Sequence, residues 1–181
     1  MRTWLKQLMP WLLVLSLGAN LYLGYGIWER DRHANWILWG NTTRAFAKYA
    51  HWGTLDVEGP DYSNSRGLTL ANETLESIRW LPHYSDRVDD ADLRTIEMFL
   101  RYADASLGLA TREQLKTGAA SEESRRRLDR VREGLRLIVE VSSRINELQK
   151  DAYIWRDGEW RKMWHEMAQQ LNQIEFLPLP K

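Results

Sequence analysis

Four histidines are the side chains of this sequence best suited to proton transfer or metal binding. Their spacing therefore indicates whether the sequence contains a catalytic or metal site. His165 opens the string His-Glu-Met-Ala-Gln at 165–169. Helical zinc sites use two histidines four positions apart, with a glutamate after the first as the base. Gln169 stands where the second histidine is required, and an amide is a poor zinc ligand. The sequence therefore predicts no metal site here.

Other patterns for catalysis are also missing. His33, His51 and His83 are far apart in the sequence and define no geometry. The acidic run from Asp86 to Asp92 lacks the glycine and the distal glutamate of a calcium-binding loop, and helix capping explains most of it. The sequence has no serine-nucleophile elbow, no phosphate-cradling glycine loop and no dinucleotide-binding fingerprint. We therefore expect no catalytic residues, no cofactor and no enzymatic activity.

Arginines concentrate between residues 125 and 136, which raises the question of nucleic-acid or lipid binding. Glutamates and aspartates interleave with them at three- and four-residue spacing, which pairs opposite charges along one helix. Lys and Arg total 25, as do Asp and Glu, so no net charge attracts an anionic polymer. We predict a salt-bridged, solvated helix face and no nucleic-acid partner.

Ten tryptophans are the unusual feature of the composition. Trp4, Trp11 and Trp28 flank or enter an apolar segment, where indoles favour the headgroup level of a membrane. The others lie further along the chain and belong either to a core or to a contact surface. We name four of them as possible ligand or partner contacts: Trp52, Trp80, Trp155 and Trp160.

The element at the N-terminal end of the chain is a stretch without charge over residues 7–28. A helix of about 20 residues spans the hydrocarbon layer of roughly 30 Å. The stretch is longer than the roughly 7 to 15 apolar residues of a cleaved signal, and Gly24-Tyr25-Gly26 is a poor cleavage site. We expect a retained membrane anchor, with a removed signal peptide as the alternative.

The orientation of this anchor rests on the basic residues beside it. Arg2 and Lys6 precede it and Arg30 and Arg32 follow it, so the positive-inside count is a tie. A short basic head is the usual cytoplasmic end of a signal anchor, and long downstream domains cross largely regardless of charge. We predict residues 1–6 as a short cytoplasmic N-terminus, 7–28 as the transmembrane anchor, 29–177 as an extracytoplasmic helical domain and 178–181 as a C-terminal tail.

Beyond the anchor, apolar residues recur at helical spacing in five runs. The first continues from the anchor to Ala50, and residues 53–64, rich in glycine and turn formers, are predicted to form a loop. The chain has no cysteine, so its stability must come from packing. The predicted fold is all-α, with an N-terminal transmembrane helix followed by an antiparallel four- to five-helix bundle.

The layout resembles the extracytoplasmic helical modules of bacterial membrane sensors and envelope assembly proteins, at the level of the fold alone. We expect a non-enzymatic module for protein–protein interaction or envelope assembly, with membrane lipid around its anchor and a protein partner or a second copy on its domain. One alternative is a small-ligand sensor in which Trp52, Trp80 and Trp155 line a pocket. Another is a hydrolase, which would need a polar cleft.

Overall fold

The computed structural model describes residues 2–59, 62, 65–81, 84–151 and 157–179, without the side chains of 2–12, 85, 148–151 and 157. All regular secondary structure in this part of the chain is helical, which confirms the predicted helical bundle. The chain divides into two compact units, Met1–Leu38 and Trp39–Lys181. The elements are α1 (Arg2–Glu58), α2 (Arg66–Ile78), α3 (Tyr84–Arg87), α4 (Asp90–Thr117), α5 (Glu122–Asp151) and α6 (Asp157–Gln173).

The first unit is the N-terminal part of α1, and its apolar side chains are exposed on all sides of the helix. Leucines, tyrosines and other large apolar residues between 13 and 28 are each more than half exposed. Among the residues whose side chains the structure describes, no helix is long and apolar enough to cross a membrane. The predicted anchor, residues 7–28, begins with side chains 7–12 that lie outside this description.

In the second unit, α1 buries one face only. Of the predicted stripe Trp36, Trp39, Thr43, Phe46 and Ala50, the last four residues are buried, whereas Trp36, which belongs to the first unit, is exposed. The helix then continues to Glu58, so the prediction of a loop was wrong for residues 53–58. Packing holds this last part in the helix, because Val57 is fully buried.

A close crossing of α1 and α2 explains the glycines that suggested a loop. A Cβ on Gly67 would lie 2.3 Å from the amide nitrogen of Gly53, so the two backbones leave no room for a side chain. The buried carboxylate of Asp56 accepts a 2.7 Å hydrogen bond from the Gly67 amide, which satisfies a free donor at the start of α2. Burial raises the pKa of Asp56, although this hydrogen bond acts in the opposite direction.

The helices of the second unit pair side by side around one core. Thr43 donates a 3.0 Å hydrogen bond to Asn146, whereas Arg136 contacts Glu58 at 2.9 Å, so α1 and α5 run in opposite directions. The ring of Phe46 packs 5.8 Å from that of Trp164 on α6. Positions at the predicted helical spacing are buried on α2 (Leu68, Ala71, Leu75, Ile78), α4 (Leu93, Ile96, Leu100, Ala103, Leu107), α5 (Leu128, Val131, Leu135, Ile138, Ser142, Ile145) and α6 (Trp160, Trp164, Met167, Leu171). Ile174, at the end of the last predicted stripe, is only half-buried, and the side chain of Leu148 lies outside the described residues.

The segment after α6 is extended, as predicted, and packs on α4 and α5. The carbonyl oxygen of Leu177 accepts a 3.0 Å hydrogen bond from the Tyr102 hydroxyl. The carbonyl oxygen of Pro178 accepts one of 3.2 Å from Nε of Arg127. The ring of Phe176 lies 4.8 Å from that of Tyr102. This tail therefore ties the end of the chain to the bundle.

Candidate protein-contact surface

The four tryptophans named from the sequence lie in different surroundings. Trp80 follows the end of α2 and is 88% exposed, and Trp155 lies outside the described residues. Trp52 is partly exposed, with the Lys48 ammonium 4.8 Å from its ring centre. Trp52 lies beside the start of α2, a helix of 13 residues, so about 20 Å separates it from Trp80.

Trp160 belongs to the core, because it is only 8% exposed. Its ring meets that of Trp39 edge to face at 5.6 Å. The guanidinium of the buried Arg87 lies 4.8 Å from the Trp39 ring and 5.3 Å from the Trp160 ring. This cation–π cluster holds α3 against α1 and α6. Of the described candidates, Trp80 is therefore the one with the largest exposed fraction.

The arginines of α5 are paired as the sequence predicted. Arg126 contacts Glu122 at 2.5 Å, and Arg132 contacts Asp129 at 2.5 Å. Arg127 pairs with Glu123 in the same four-residue spacing. Such pairs are worth little each, but they leave α5 with a charge-balanced outer face.

His165 is engaged through both of its ring nitrogens. Nδ1 lies 3.0 Å from Oδ1 of the buried Asp92, and Nε2 lies 2.8 Å from the amide nitrogen of Gln169. We assign the tautomer in which Nδ1 donates to Asp92 and Nε2 accepts from Gln169. The Asp92–His165 pair links α4 to α6. No three His, Cys, Asp or Glu side chains of the described residues are grouped to hold a metal ion.

The acidic residues before α4 have different structural roles. Asp89 is the N-cap of α4, since its carboxylate accepts a 2.9 Å hydrogen bond from the Ala91 amide. That hydrogen bond, with one from Arg161, lowers the pKa of Asp89. Asp90 accepts a hydrogen bond from the Tyr84 hydroxyl. These residues therefore serve helix capping and side-chain pairing.

A chain of polar contacts joins the end of α2 to the outer face of α4. Arg79 donates a 2.8 Å hydrogen bond to Glu97, and Arg101 binds the other oxygen of the same carboxylate at 2.5 Å. The hydrogen bond from Arg79 lowers the pKa of Glu97. Burial and the hydrogen bond to Asp90 raise the pKa of Tyr84 to about 12. Each member fixes its neighbour, so the side chains of this surface are held in place.

These contacts form one wall of an open cleft, which we call the α2–α4 cleft. Its volume is about 570 Å³. Met98 lies on its surface and is 63% exposed. Trp80 directly follows one of the lining residues, Arg79, in the sequence and is 88% exposed. The cleft is lined by Arg79, Asp90, Arg94, Glu97, Met98 and Arg101.

Sequence patterns indicated Trp80 as a contact residue and none of the residues that line the cleft. Trp80 was named because tryptophan often anchors protein contacts. Arg79 and Glu97 are 18 positions apart, and no local spacing rule relates residues on two helices. Met98, one position from Glu97 on α4, was a signal that could have been used, since it stands off the predicted core stripe.

Comparison of the chain with protein-family models, curated proteins and solved structures found no match.

Proposed function

We propose that this chain is a membrane-anchored helical module that binds a protein partner through the α2–α4 cleft and Trp80. The observation that carries the proposal is the exposure of Trp80 beside an arginine-lined cleft, in a domain where Trp39, Trp160 and Trp164 are buried. Tryptophan and arginine are the residues that most often dominate binding energy at protein interfaces. An exposed indole has no role in the stability of the bundle.

The rigidity of the cleft supports the same proposal. Glu97 is held between Arg79 and Arg101, and Tyr84 is held by Asp90. Side chains that are already ordered lose less conformational entropy when a partner binds. A surface with this property is better suited to binding than a set of free surface arginines.

The anchor part of the proposal rests on the N-terminal part of α1. A helix with exposed leucines on all sides is unfavourable in water, at about 25 cal/mol per Å² of apolar surface, and favourable in lipid. Trp28 stacks beneath the Arg32 guanidinium at 5.2 Å and lies 5.9 Å from Tyr25. Such amphipathic side chains favour the interface between lipid and water. We propose residues 7–28 as the anchor and place the bundle outside the cytoplasm.

The ligand-sensing alternative has less support than partner binding. About 20 Å separates Trp52 from Trp80, so these two cannot line one small-molecule pocket. A hydrolase has less support still, because within the described residues the ring nitrogens of His165 contact Asp92 and Gln169 and no serine or threonine hydroxyl that the histidine could activate.

Site-specific photocrosslinking in membranes tests the proposed surface. A photoreactive phenylalanine analogue is placed at Trp80, at Met98 or at Leu115. Leu115 is the control, since it is 82% exposed on the same helix and about 25 Å from Met98. We expect one adduct of defined mass from positions 80 and 98 and none from position 115. Equal adducts at all three positions, or none at any, would contradict the proposal.

Cysteine labelling tests the proposed location, since the chain has no cysteine of its own. A cysteine at the exposed Gln170 is treated with a membrane-impermeant maleimide in intact and in lysed cells. We expect equal labelling in both, with the protein in the membrane fraction after an alkaline wash. Labelling only after lysis would place the bundle inside.

A further inference from the structure

We infer that the partner presents an acidic segment to the α2–α4 cleft, with a carboxylate opposite Arg94 and an apolar side chain against Met98 and Trp80. This inference rests on the proposed function and specifies the chemistry of the partner. It depends on the charges that line the cleft, on which of them are already paired, and on where the apolar surface lies.

The cleft carries three guanidinium groups and two carboxylates. Both carboxylates are already used: Glu97 binds Arg79 and Arg101, and Asp90 binds the hydroxyl of Tyr84. Arg94 is exposed and makes no ion pair within the described part of the chain. The cleft therefore has an excess of one positive charge, which lies on its least restrained side chain.

Arg94 also lies next to the apolar part of the surface. Met98 follows it by four residues on α4, which places both on one helix face. Asp90 precedes it by the same spacing, with its carboxylate turned to Tyr84. A bound carboxylate can form a two-point contact with the planar Arg94 guanidinium. A neighbouring apolar side chain of the same segment then covers Met98 and reaches Trp80.

A polypeptide segment fits this surface better than a phospholipid headgroup. Exposed Met98 lines the cleft with Arg94, and exposed Trp80 follows the lining residue Arg79. An indole and a thioether contribute large contact areas at protein interfaces. A headgroup would use the arginine alone and leave both apolar side chains in water. Charge complementarity and apolar contact together favour an acidic, partly apolar segment of a protein.

Peptide selection on the full chain tests the inference directly. The chain is placed in nanodiscs of phosphatidylcholine, and a displayed library of random twelve-residue peptides is selected on it. A parallel selection uses Arg94→Glu. We expect enrichment of Asp and Glu beside Trp, Phe or Leu on the native chain, and loss of that enrichment on Arg94→Glu. Selected peptides without acidic residues, or the same acidic peptides from both selections, would overturn the inference.

Binding of a selected acidic peptide supplies the quantitative test. We expect Arg94→Glu to weaken binding by roughly tenfold or more, since it puts like charges together. Arg112→Glu is the matched control, because Arg112 is exposed on the same face of α4, about five turns and about 27 Å away. It should change the affinity by less than about twofold. Equal effects of the two variants would overturn the inference.

Two further readouts separate the causes of failure. Circular dichroism with a denaturant midpoint shows that Arg94→Glu is folded, and Trp80→Ala provides a second variant that should also weaken peptide binding. If photocrosslinking at Met98 succeeds while no acidic peptide is selected, the surface is an interface and the acidic partner is wrong. If the Met98 adduct is a dimer of this chain, the occupant is a second copy, which also overturns the inference. If neither experiment gives a signal, the proposed function itself fails.

Discussion

Two parts of α1 have the same secondary structure and different relations to their surroundings. Between residues 13 and 28 the large apolar side chains are exposed on every side of the helix. Between residues 39 and 58 one face of the helix is buried in the bundle, and most of the exposed positions are polar. Helix formation is therefore common to both parts, and the distribution of apolar residues around the axis differs.

Two tryptophans make the difference concrete. Trp28 is 55% exposed and lies beneath Arg32. Trp39 has no exposed surface and is contacted by Arg87 and by Trp160. Both indoles have a guanidinium neighbour, so the local contact is alike. Burial by other helices separates a side chain that supports the bundle from one that we propose faces the membrane interface.

The largest effect is expected from charges placed in the first part of α1, the proposed membrane anchor. Leu17→Arg together with Leu21→Arg puts two charges near the middle of the proposed span, at about 3 kcal/mol each. We expect the double variant to leave the membrane fraction after an alkaline wash. Leu55→Arg, also an exposed leucine of α1, should stay in that fraction. Retention of the double variant in the membrane would contradict the anchor.

The next largest effect is expected from removal of a buried side chain in the second part of α1. Trp39→Ala should lower the free energy of unfolding by about 3 to 5 kcal/mol, because it removes a fully buried indole and leaves a cavity. Trp28→Ala should change it by no more than about 0.5 kcal/mol. Denaturant unfolding followed by circular dichroism measures both. Similar losses of unfolding free energy for the two variants would contradict the assignment of Trp39 to the core and of Trp28 to the exposed part of α1.

Substitutions of glycine should have different effects at the crossing of α1 and α2 and in the exposed part of α1. Gly67→Ala places a Cβ 2.3 Å from the Gly53 nitrogen, and we expect a loss of about 3 kcal/mol because backbones must move apart. Gly24→Ala meets no atom within 4 Å and should not lower the stability of the bundle. The same unfolding measurement applies. A tolerated Gly67→Ala would show that the close crossing of α1 and α2 does not exist.

The smallest expected effect concerns pH and the polar network beside the cleft. Because the hydrogen bond from Arg79 lowers the pKa of Glu97 in the folded chain, its stabilising effect is complete above the ordinary value of 4.5 and is lost as the pH falls through the lowered pKa. Glu97→Gln should remove about 1 to 2 kcal/mol at pH 7 and flatten this loss in acid. Arg79→Gln should weaken the same pH dependence, and Arg101 keeps part of it because it also lowers the pKa of Glu97. An unchanged acid profile in both variants would show that the pair does not stabilise the folded state.

Local periodicity predicted the helices and most of the core. The stripe Leu93, Ile96 and Leu100, for example, is buried as its spacing required. The prediction of a loop at residues 53–58 was wrong because Gly53 was interpreted by its usual role in turns, whereas here it permits a close contact with α2. Glycine permits both tight turns and close contact between helices. The position of the neighbouring helix determines which of these properties matters.

The candidate surface was less predictable for a related reason. Trp80 could be named because tryptophan often anchors protein contacts. The contacts that hold the surface, Arg79 with Glu97 and Tyr84 with Asp90, join different elements, and so does His165 with Asp92. Pairing across elements depends on how helices are placed against one another, which periodicity along one helix does not contain.

A cysteine scan along α1 tests directly whether one stretch of this helix is surrounded by lipid and a later stretch belongs to the bundle. Spin labels are attached one at a time at positions 13 to 58 of the chain, which has no native cysteine, in phospholipid vesicles. We expect every label from 13 to 28 to be relaxed by oxygen and shielded from a water-soluble nickel reagent, whatever its helix face. Between 39 and 58, access to nickel should rise and fall with the helical repeat of about 3.6 residues. Ready access of the nickel reagent to the labels at 13 to 28 would contradict the account.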